Sequence, residues 1–241
     1  MKLAVMWKKY LPIKSIMNES AMKDAKAHHH LAAMQTHVTE LFQAELTLET
    51  LPELGMAFYL LEGAIEQRHY SPEQVDAIWS NMPYWAFAWS SGRALAKYLL
   101  DHPELVSGKT VCDFGAGSGI VALAALKAGA KAAWACDIDA LALTACELNA
   151  EQNGLSVSVC DSVESVPNLD ILVVGDVLYD PRNHQLAETL FEQNVPLIWA
   201  ESRAQTKLSH HGPVAAYQAQ TQPNIGGFDE HKDIHIYHHK I

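Results

Sequence analysis

The feature that most constrains the fold is a regular alternation of strand-like and helix-like segments that begins at Lys109. Short apolar runs predict strands at 110–113, 132–136, 157–160, 171–175 and 195–200. Helical patterns separate most of these runs, at 119–129, 139–152 and 183–193. Such alternation is typical of parallel βαβ units with helices packed on both faces of one sheet. We therefore predict a doubly wound α/β fold for this part of the chain.

The C-terminal tail departs from this alternation. Two strand patterns, at 214–220 and 234–238, flank a loop that contains Gly226 and Gly227. An antiparallel pair at the edge of an otherwise parallel sheet accounts for this pattern.

The chain before the alternating region is predicted to form a mostly helical N-terminal extension over 1–80, followed by the main domain over 81–241. Helical spacing of apolar residues favours an amphipathic helix at 30–46, and 57–61 is a candidate strand.

Two helix starts are predicted next. Ser71 is suited to cap a helix, Pro72 suits its first turn, and Gln74 is placed to complete a capping box. Ser90 or Ser91 is expected to cap the following helix.

Charge and composition exclude some classes of partner. The chain has 17 Lys and Arg against 28 Asp and Glu, a formal net charge of −11. Because phosphate contacts need basic residues, a nucleic-acid partner is not expected, and small molecules or basic protein segments fit better. No apolar run reaches the length of a membrane span. The four cysteines form no Cys-x-x-Cys pair, which favours free buried thiols and a cytoplasmic location.

The histidines do not favour a metal site. The run His28-His29-His30 and the pair His238-His239 place neighbours on diverging sides of a helix or strand. A solvated or edge-strand role is expected for them, and no metal is assigned.

A glycine-rich loop, Asp113-Phe114-Gly115-Ala116-Gly117-Ser118-Gly119, follows the first predicted strand of the alternation and opens a helix. Glycines let the backbone approach a ligand closely, and a helix start offers unpaired N–H groups. The Gly-x-Gly-x-Gly spacing differs from dinucleotide and phosphate-loop fingerprints. Asp137, at the end of the next strand, is placed to accept hydrogen bonds from two ribose hydroxyls.

These residues resemble the seven-strand class I of S-adenosylmethionine (SAM)-dependent methyltransferases, a Rossmann-like fold, over residues 109–200. The resemblance implies SAM as the cofactor. It implies that the loop holds the methionine moiety, that Asp137 and Ile138 contact the ribose side, and that Asp161 contacts adenine. Trp89 would form a wall beside the donor. The residues assigned to the methionine moiety are Asp113, Gly115, Ala116, Gly117 and Gly119. A nicotinamide nucleotide, or a tight turn without a ligand, are the alternatives.

The second motif is Gly175-Asp176-Val177-Leu178-Tyr179, at the carboxyl end of a fully apolar strand. Many amino-group methyltransferases carry Asn/Asp-Pro-Pro-Tyr here, so this departure disfavours glutamine and base amino groups as acceptors. A carboxylate is better matched to an acceptor that arrives as a cation, such as a lysine ammonium. Asp176 is therefore expected to receive the amine, and Tyr179 to shape the acceptor slot.

A third segment sharpens the resemblance. Pro-Tyr-Trp-Ala-x-x-Trp-x-x-Gly at 83–92, together with the two motifs above, is similar to lysine methyltransferases of the electron-transfer-flavoprotein β subunit and of ribosomal proteins. This similarity covers roughly 50–241 and implies a protein lysine substrate. The flavoprotein enzymes show Asp-Pro-Gly-Arg after the fifth strand, whereas 200–203 here reads Ala-Glu-Ser-Arg. A small-molecule or RNA methyltransferase, and an inactive SAM-binding protein, are the alternatives.

Overall fold

A computed structural model describes residues 19–175, 177, 189–190, 192, 194–202, 212–225 and 233–241, with side chains from residue 27 onward. The two predicted catalytic residues, Asp176 and Tyr179, lie outside the described residues, as does most of the helix predicted at 183–193.

The centre of the structure is a seven-stranded sheet in the order β5-β4-β3-β6-β7-β9-β8. Its strands are β3 (Thr110–Phe114), β4 (Ala132–Cys136), β5 (Ser158–Cys160), β6 (Ile171–Gly175), β7 (Leu197–Glu201), β8 (Ala215–Gln218) and β9 (Asp233–His239). The first five pair in parallel, and β9 is antiparallel to both β7 and β8. The predicted mostly parallel sheet with an antiparallel C-terminal edge is confirmed.

Three described helices pack on one face of this sheet: α3 (Ser90–Asp101), α4 (Ile120–Lys127) and α5 (Ala140–Gln152). One cluster joins Leu95 and Leu99 of α3 to Val111 and Val173 of the central strands. The opposite face is also apolar, and its cluster includes Leu190. Because both faces of the central strands are covered, their residues are mostly apolar, with Thr110 and Asp113 as buried polar exceptions in β3.

The chain before the sheet consists of α1 (Glu19–Phe42), a hairpin of β1 (Leu46–Leu51) and β2 (Met56–Leu61), and α2 (Pro72–Ser80). The helix predicted at 30–46 therefore begins earlier and ends sooner. Gln43 has a φ of +52°, which ends α1, and Leu46 already belongs to a strand. Strand β1 was not predicted. The division at residue 80 stays a prediction. Phe42 of the extension packs in one buried cluster with Trp85 of the main domain, so the two parts share a hydrophobic core.

The two predicted helix starts have different outcomes. Ser71 Oγ accepts a hydrogen bond from Gln74 N, and Gln74 Oε1 accepts one from Ser71 N, so the capping box is confirmed. The predicted cap at Ser90 or Ser91 is wrong, because α3 already begins at Ser90, with Trp89 before it and no side-chain cap. The Ser90 N–H is bound instead by Thr221 Oγ1, at 3.1 Å, from a distant part of the chain.

Two asparagines hold the hairpin against the main domain: Asn149 in α5 and Asn153 directly after it. Asn149, fully buried, accepts a hydrogen bond from Tyr59 N at 2.8 Å and donates one to Ser118 O at 2.9 Å. Asn153 Oδ1 accepts from Ala57 N at 3.0 Å. Four helical residues rise by about 6 Å, and two strand residues by about 6.7 Å, so the amides align with alternate N–H groups of β2.

We predict that Asn149→Ala destabilises the protein by about 2–5 kcal/mol, because the Tyr59 N–H and the Ser118 carbonyl both lose their partner in the interior. Chemical denaturation measures the loss. Gln152→Ala, exposed on the same helix, is the matched control, with an expected change within about 0.5 kcal/mol. Equal losses in the two variants would contradict this role for Asn149.

Candidate functional site

The candidate site lies at the carboxyl edge of the sheet. The register pairs Phe114 of β3 with Cys136 of β4 on one side and with Val174 of β6 on the other, so these three strands end at the same level. From β3 the chain moves outward to β4 and β5, and it then returns to place β6 on the other side of β3. In open α/β sheets this reversal of strand order creates a crevice that binds ligands.

The glycine loop after β3 is shaped by three left-handed residues. Gly115, Gly117 and Gly119 have φ values of +71°, +52° and +78°. A Cβ at Gly119 would lie 3.0 Å from Cys146 Sγ and 3.2 Å from Cys146 Cα, so α5 packs directly on this turn. Only glycine adopts these conformations at low cost while allowing that close approach.

Asp137 joins this loop to the end of β4. Its Oδ2 accepts a hydrogen bond from Gly117 N at 2.9 Å, and its Oδ1 accepts one from Asp139 N at 3.0 Å. Burial raises the pKa of the carboxyl, against the effect of these backbone donors. Each carboxylate oxygen carries a second lone pair, so the group retains the capacity to accept two ribose hydroxyls.

Asp113 lies beneath the loop, 2% exposed. Its Oδ2 accepts a hydrogen bond from Ala122 N, at 2.9 Å, in the first turn of α4. The contact that the structure describes is therefore with the protein backbone, and it fixes how the glycine loop enters the helix. Direct contact of Asp113 with a ligand stays a prediction.

Two further predicted ligand contacts lie beside Asp137. The Ile138 side chain is 95% exposed, which leaves an apolar surface open to a flat ring. Asp161, also exposed, directly follows β5, and Asp137 N donates to Cys160 O at 3.1 Å. The structure thus brings these three residues to one stretch of the carboxyl edge, next to Gly115, Ala116 and Gly117.

The aromatic segment packs over the glycine loop. A Cβ at Gly117 would lie 3.8 Å from Tyr84 O and 4.0 Å from Trp85 Cα. Trp89 Nε1 donates to Tyr84 O at 2.8 Å, and the Trp89 ring, partly buried, lies 5.7 Å from that of Tyr84. Trp85 is fully buried, with its ring 6.2 Å from that of His37 in α1, so it belongs to the core.

The first turn of α3 completes this edge and was missed by sequence reasoning. A Cβ at Gly175, the last residue of β6, would lie 3.6 Å from Gly92 N and 3.8 Å from Ser91 C. Ser91 Oγ is buried and has no hydrogen-bond partner in the described part of the chain. The pattern Ser-Ser-Gly before an apolar helix was the available signal, and it was interpreted only as a cap.

Among the described residues, no three histidine, cysteine, aspartate or glutamate side chains lie close enough together to share a metal ion. Within the same residues, no helix is both long and apolar enough to span a membrane.

The buried carboxyl of Asp113 predicts a pH dependence of stability. Burial raises its native pKa to about 7 from an unfolded value of about 3.9. Its contribution to stability is therefore fully present below about pH 4 and is lost as the pH rises through 7. Asp113→Asn keeps an acceptor for Ala122 N and does not titrate. The free energy of unfolding, measured by urea denaturation, should fall between pH 5 and pH 8. We expect this fall to be smaller in the variant than in the wild type. An identical fall in both proteins would contradict the raised pKa.

Comparison with known proteins matches the central part of the chain. Residues 94–194 match the family model of the ribosomal protein L11 methyltransferase PrmA. The human electron transfer flavoprotein beta subunit lysine methyltransferase is 40% identical over 122 residues, which cover 48% of this chain and 45% of that protein. The ribosomal protein L11 methyltransferase of Dichelobacter nodosus is 43% identical over 86 residues, which cover 35% of this chain and 29% of that protein.

A solved structure of ribosomal protein L11 methylase from Lactobacillus delbrueckii subsp. bulgaricus has a TM-score of 0.45 and 23% identity, over 61% of this chain and 77% of that one. The chain spans about half the length of the flavoprotein-type relatives it matches. The central segment is therefore similar in sequence to the L11 and flavoprotein β-subunit methyltransferases.

Proposed function

We propose that this protein is a SAM-dependent protein lysine methyltransferase. The observation that carries the proposal is the hydrogen bond from Gly117 N to Asp137 Oδ2, at 2.9 Å. It joins the glycine loop, which would hold the methionine moiety, to the carboxylate that would hold the ribose. Two segments that are 20 residues apart in the sequence thereby form one continuous binding edge.

The described residues fit such a ligand. The left-handed glycines place no side chain at three positions of the loop, and the exposed Ile138 offers an apolar surface beside Asp137 for an adenine ring. Asp161, at the next strand end, supplies an acceptor that suits an exocyclic amino group. Trp89 presents a partly buried ring near the loop, and an aromatic face favours a sulfonium cation by about 0.5–2 kcal/mol.

SAM, if held by the glycine loop and Asp137, would supply an activated methyl group that an amine could accept with loss of one proton, the electrons of the C–S bond staying on sulfur. The contribution of the protein is to align the acceptor with the donor and to exclude water, and alignment of this kind supplies up to about 7–11 kcal/mol in intramolecular models. A lysine amine has a pKa of about 10.4, and a poorly solvated entrance assists its deprotonation.

A lysine acceptor is supported by two observations. The flavoprotein-type relatives are named as lysine methyltransferases and match this chain at about 40% identity. The chain has an excess of acidic residues, with a formal net charge of −11, which favours a basic protein segment over a nucleic acid. Asp176 would receive the incoming amine and Tyr179 would shape its slot, both directly after β6.

We also propose a cytoplasmic location. All four cysteines are buried free thiols, which is the usual state of cysteine in a reducing compartment.

The proposal predicts that Asp137→Ala weakens SAM binding by at least about tenfold, because the ribose hydroxyls lose a charged acceptor worth about 1.5–3 kcal/mol. Isothermal titration calorimetry measures the affinity. Glu104→Gln is the control, since Glu104 is exposed on the 3₁₀ turn before β3, at the opposite edge of the sheet. Unchanged affinity in Asp137→Ala would remove Asp137 from the binding site.

A second prediction concerns Asp176. Asp176→Asn keeps the shape of the side chain and removes the charge that would orient the amine, so we expect methyl transfer to fall by at least about 100-fold with SAM affinity retained within about threefold. Turnover equal to that of the wild type would exclude Asp176 from the mechanism.

The substrate class is tested by incubating the purified chain with labelled SAM and three acceptors: electron transfer flavoprotein, ribosomal protein L11 and a small-molecule extract, all from the source organism. Label on lysine of either protein, located by mass spectrometry, is the expected result. Label confined to the small-molecule fraction would overturn the lysine assignment and leave SAM-dependent methyl transfer intact.

A further inference from the structure

A cavity of about 520 Å³ lies beside the candidate site. None of the residues assigned above to SAM or to the acceptor amine lines it. It is lined by Gly63, Glu66, Arg93, Gln220, Thr221, Gln222 and Asn224. Three separate parts of the chain therefore contribute to it: the turn after β2, the first turns of α3, and the loop that follows β8.

The topology places this cavity at the reacting edge of the sheet. Strand β8 is antiparallel to β9, and β9 is antiparallel to β7, so β8 runs in the same direction as the parallel strands. The loop after Gln218 consequently emerges at the same edge as the glycine loop and the end of β6. On the other side of the cavity, Arg93 directly follows Gly92, whose N atom would lie 3.6 Å from a Cβ at Gly175.

The loop after β8 is held at this edge by hydrogen bonds to other parts of the chain. Ala88 and Gln222 exchange two backbone hydrogen bonds, at 2.8 and 3.0 Å. Arg93 Nη1 donates to Gln220 O at 2.6 Å, and Asn224 N donates to Glu66 Oε1 at 2.7 Å. These bonds connect the loop to both other walls, so the cavity has a defined shape before any ligand arrives.

The polar groups that line it include two acceptors, on Asn224 and Glu66. Asn224 Oδ1 is buried and makes no hydrogen bond within the described residues. Glu66 contributes a carboxylate, whereas the Arg93 guanidinium is already bound by Glu53, with Nε 2.8 Å from Oε1. A buried acceptor without a partner costs about 1–3 kcal/mol, so an occupant that brings N–H donors recovers that energy.

A polypeptide with basic residues has this chemistry. Its backbone and its lysine or arginine side chains supply N–H donors, and the cavity is far larger than one side chain requires. We propose that this cavity binds the segment of the protein substrate that flanks the acceptor lysine, with Asn224 Oδ1 and the Glu66 carboxylate accepting its hydrogen bonds. This inference rests on the proposed function, and it names where the protein substrate is recognised.

The test is steady-state methylation by the full chain, with whichever of electron transfer flavoprotein or ribosomal protein L11 the wild type methylates. Asn224→Leu removes the buried acceptor at similar volume, and Glu66→Gln removes the charge while keeping an oxygen for Asn224 N. Each variant should raise KM for the protein substrate by about tenfold, the equivalent of 1.4 kcal/mol, with kcat changed by less than about twofold. SAM affinity should remain that of the wild type.

Two exposed positions remote from the cavity serve as controls: Gln152→Ala on α5 and Glu104→Gln before β3, both expected to keep the wild-type KM. If Asn224→Leu fails to fold by circular dichroism, Glu66→Gln decides, because it preserves every described hydrogen bond. An unchanged KM in the folded variants would overturn the assignment of the cavity while leaving the methyltransferase proposal intact. Absence of methylation of both proteins by the wild type would instead overturn the proposed function itself, and this inference with it.

Discussion

The candidate site depends on one contact, the hydrogen bond between the backbone of Gly117 and the carboxylate of Asp137. It forms because a left-handed glycine turns its N–H toward the end of the neighbouring strand, and because β3 and β4 end at the same level. The same contact holds a partly desolvated carboxylate at a fixed place in the crevice. A change at either residue would therefore disturb both the loop and the acid, rather than one ligand contact alone.

Much of the central sheet could be predicted from sequence, because its strands are short, apolar and bounded by turn residues. β4 and β6 were predicted to the residue, since β6 is almost wholly buried and β4 is apolar throughout. The glycine loop and Asp137 were also found, because the need for positive φ restricts residue choice at three alternate positions.

The features that could not be predicted depend on contacts between distant parts of the chain. The start of α3 is set by Thr221, 131 residues away in sequence, and no local pattern around Ser90 reveals that partner. The end of α1 was misplaced because Leu46 continues a helical spacing that tertiary structure overrides. The walls of the cavity come from three separate segments, none of which has a motif of its own. The roles of Asp176 and Tyr179 stay predictions.

Asn149 in α5 and Asn153 directly after it also change how the hairpin can meet other molecules. β1 covers one side of β2, and a bare backbone on the other side would be a template for strands of other molecules. By occupying the N–H groups of Ala57 and Tyr59, the asparagine amides close part of that edge without adding a strand. A helix thus takes the place of a neighbouring strand, and the hairpin is protected from intermolecular β-pairing at the positions where it joins the domain.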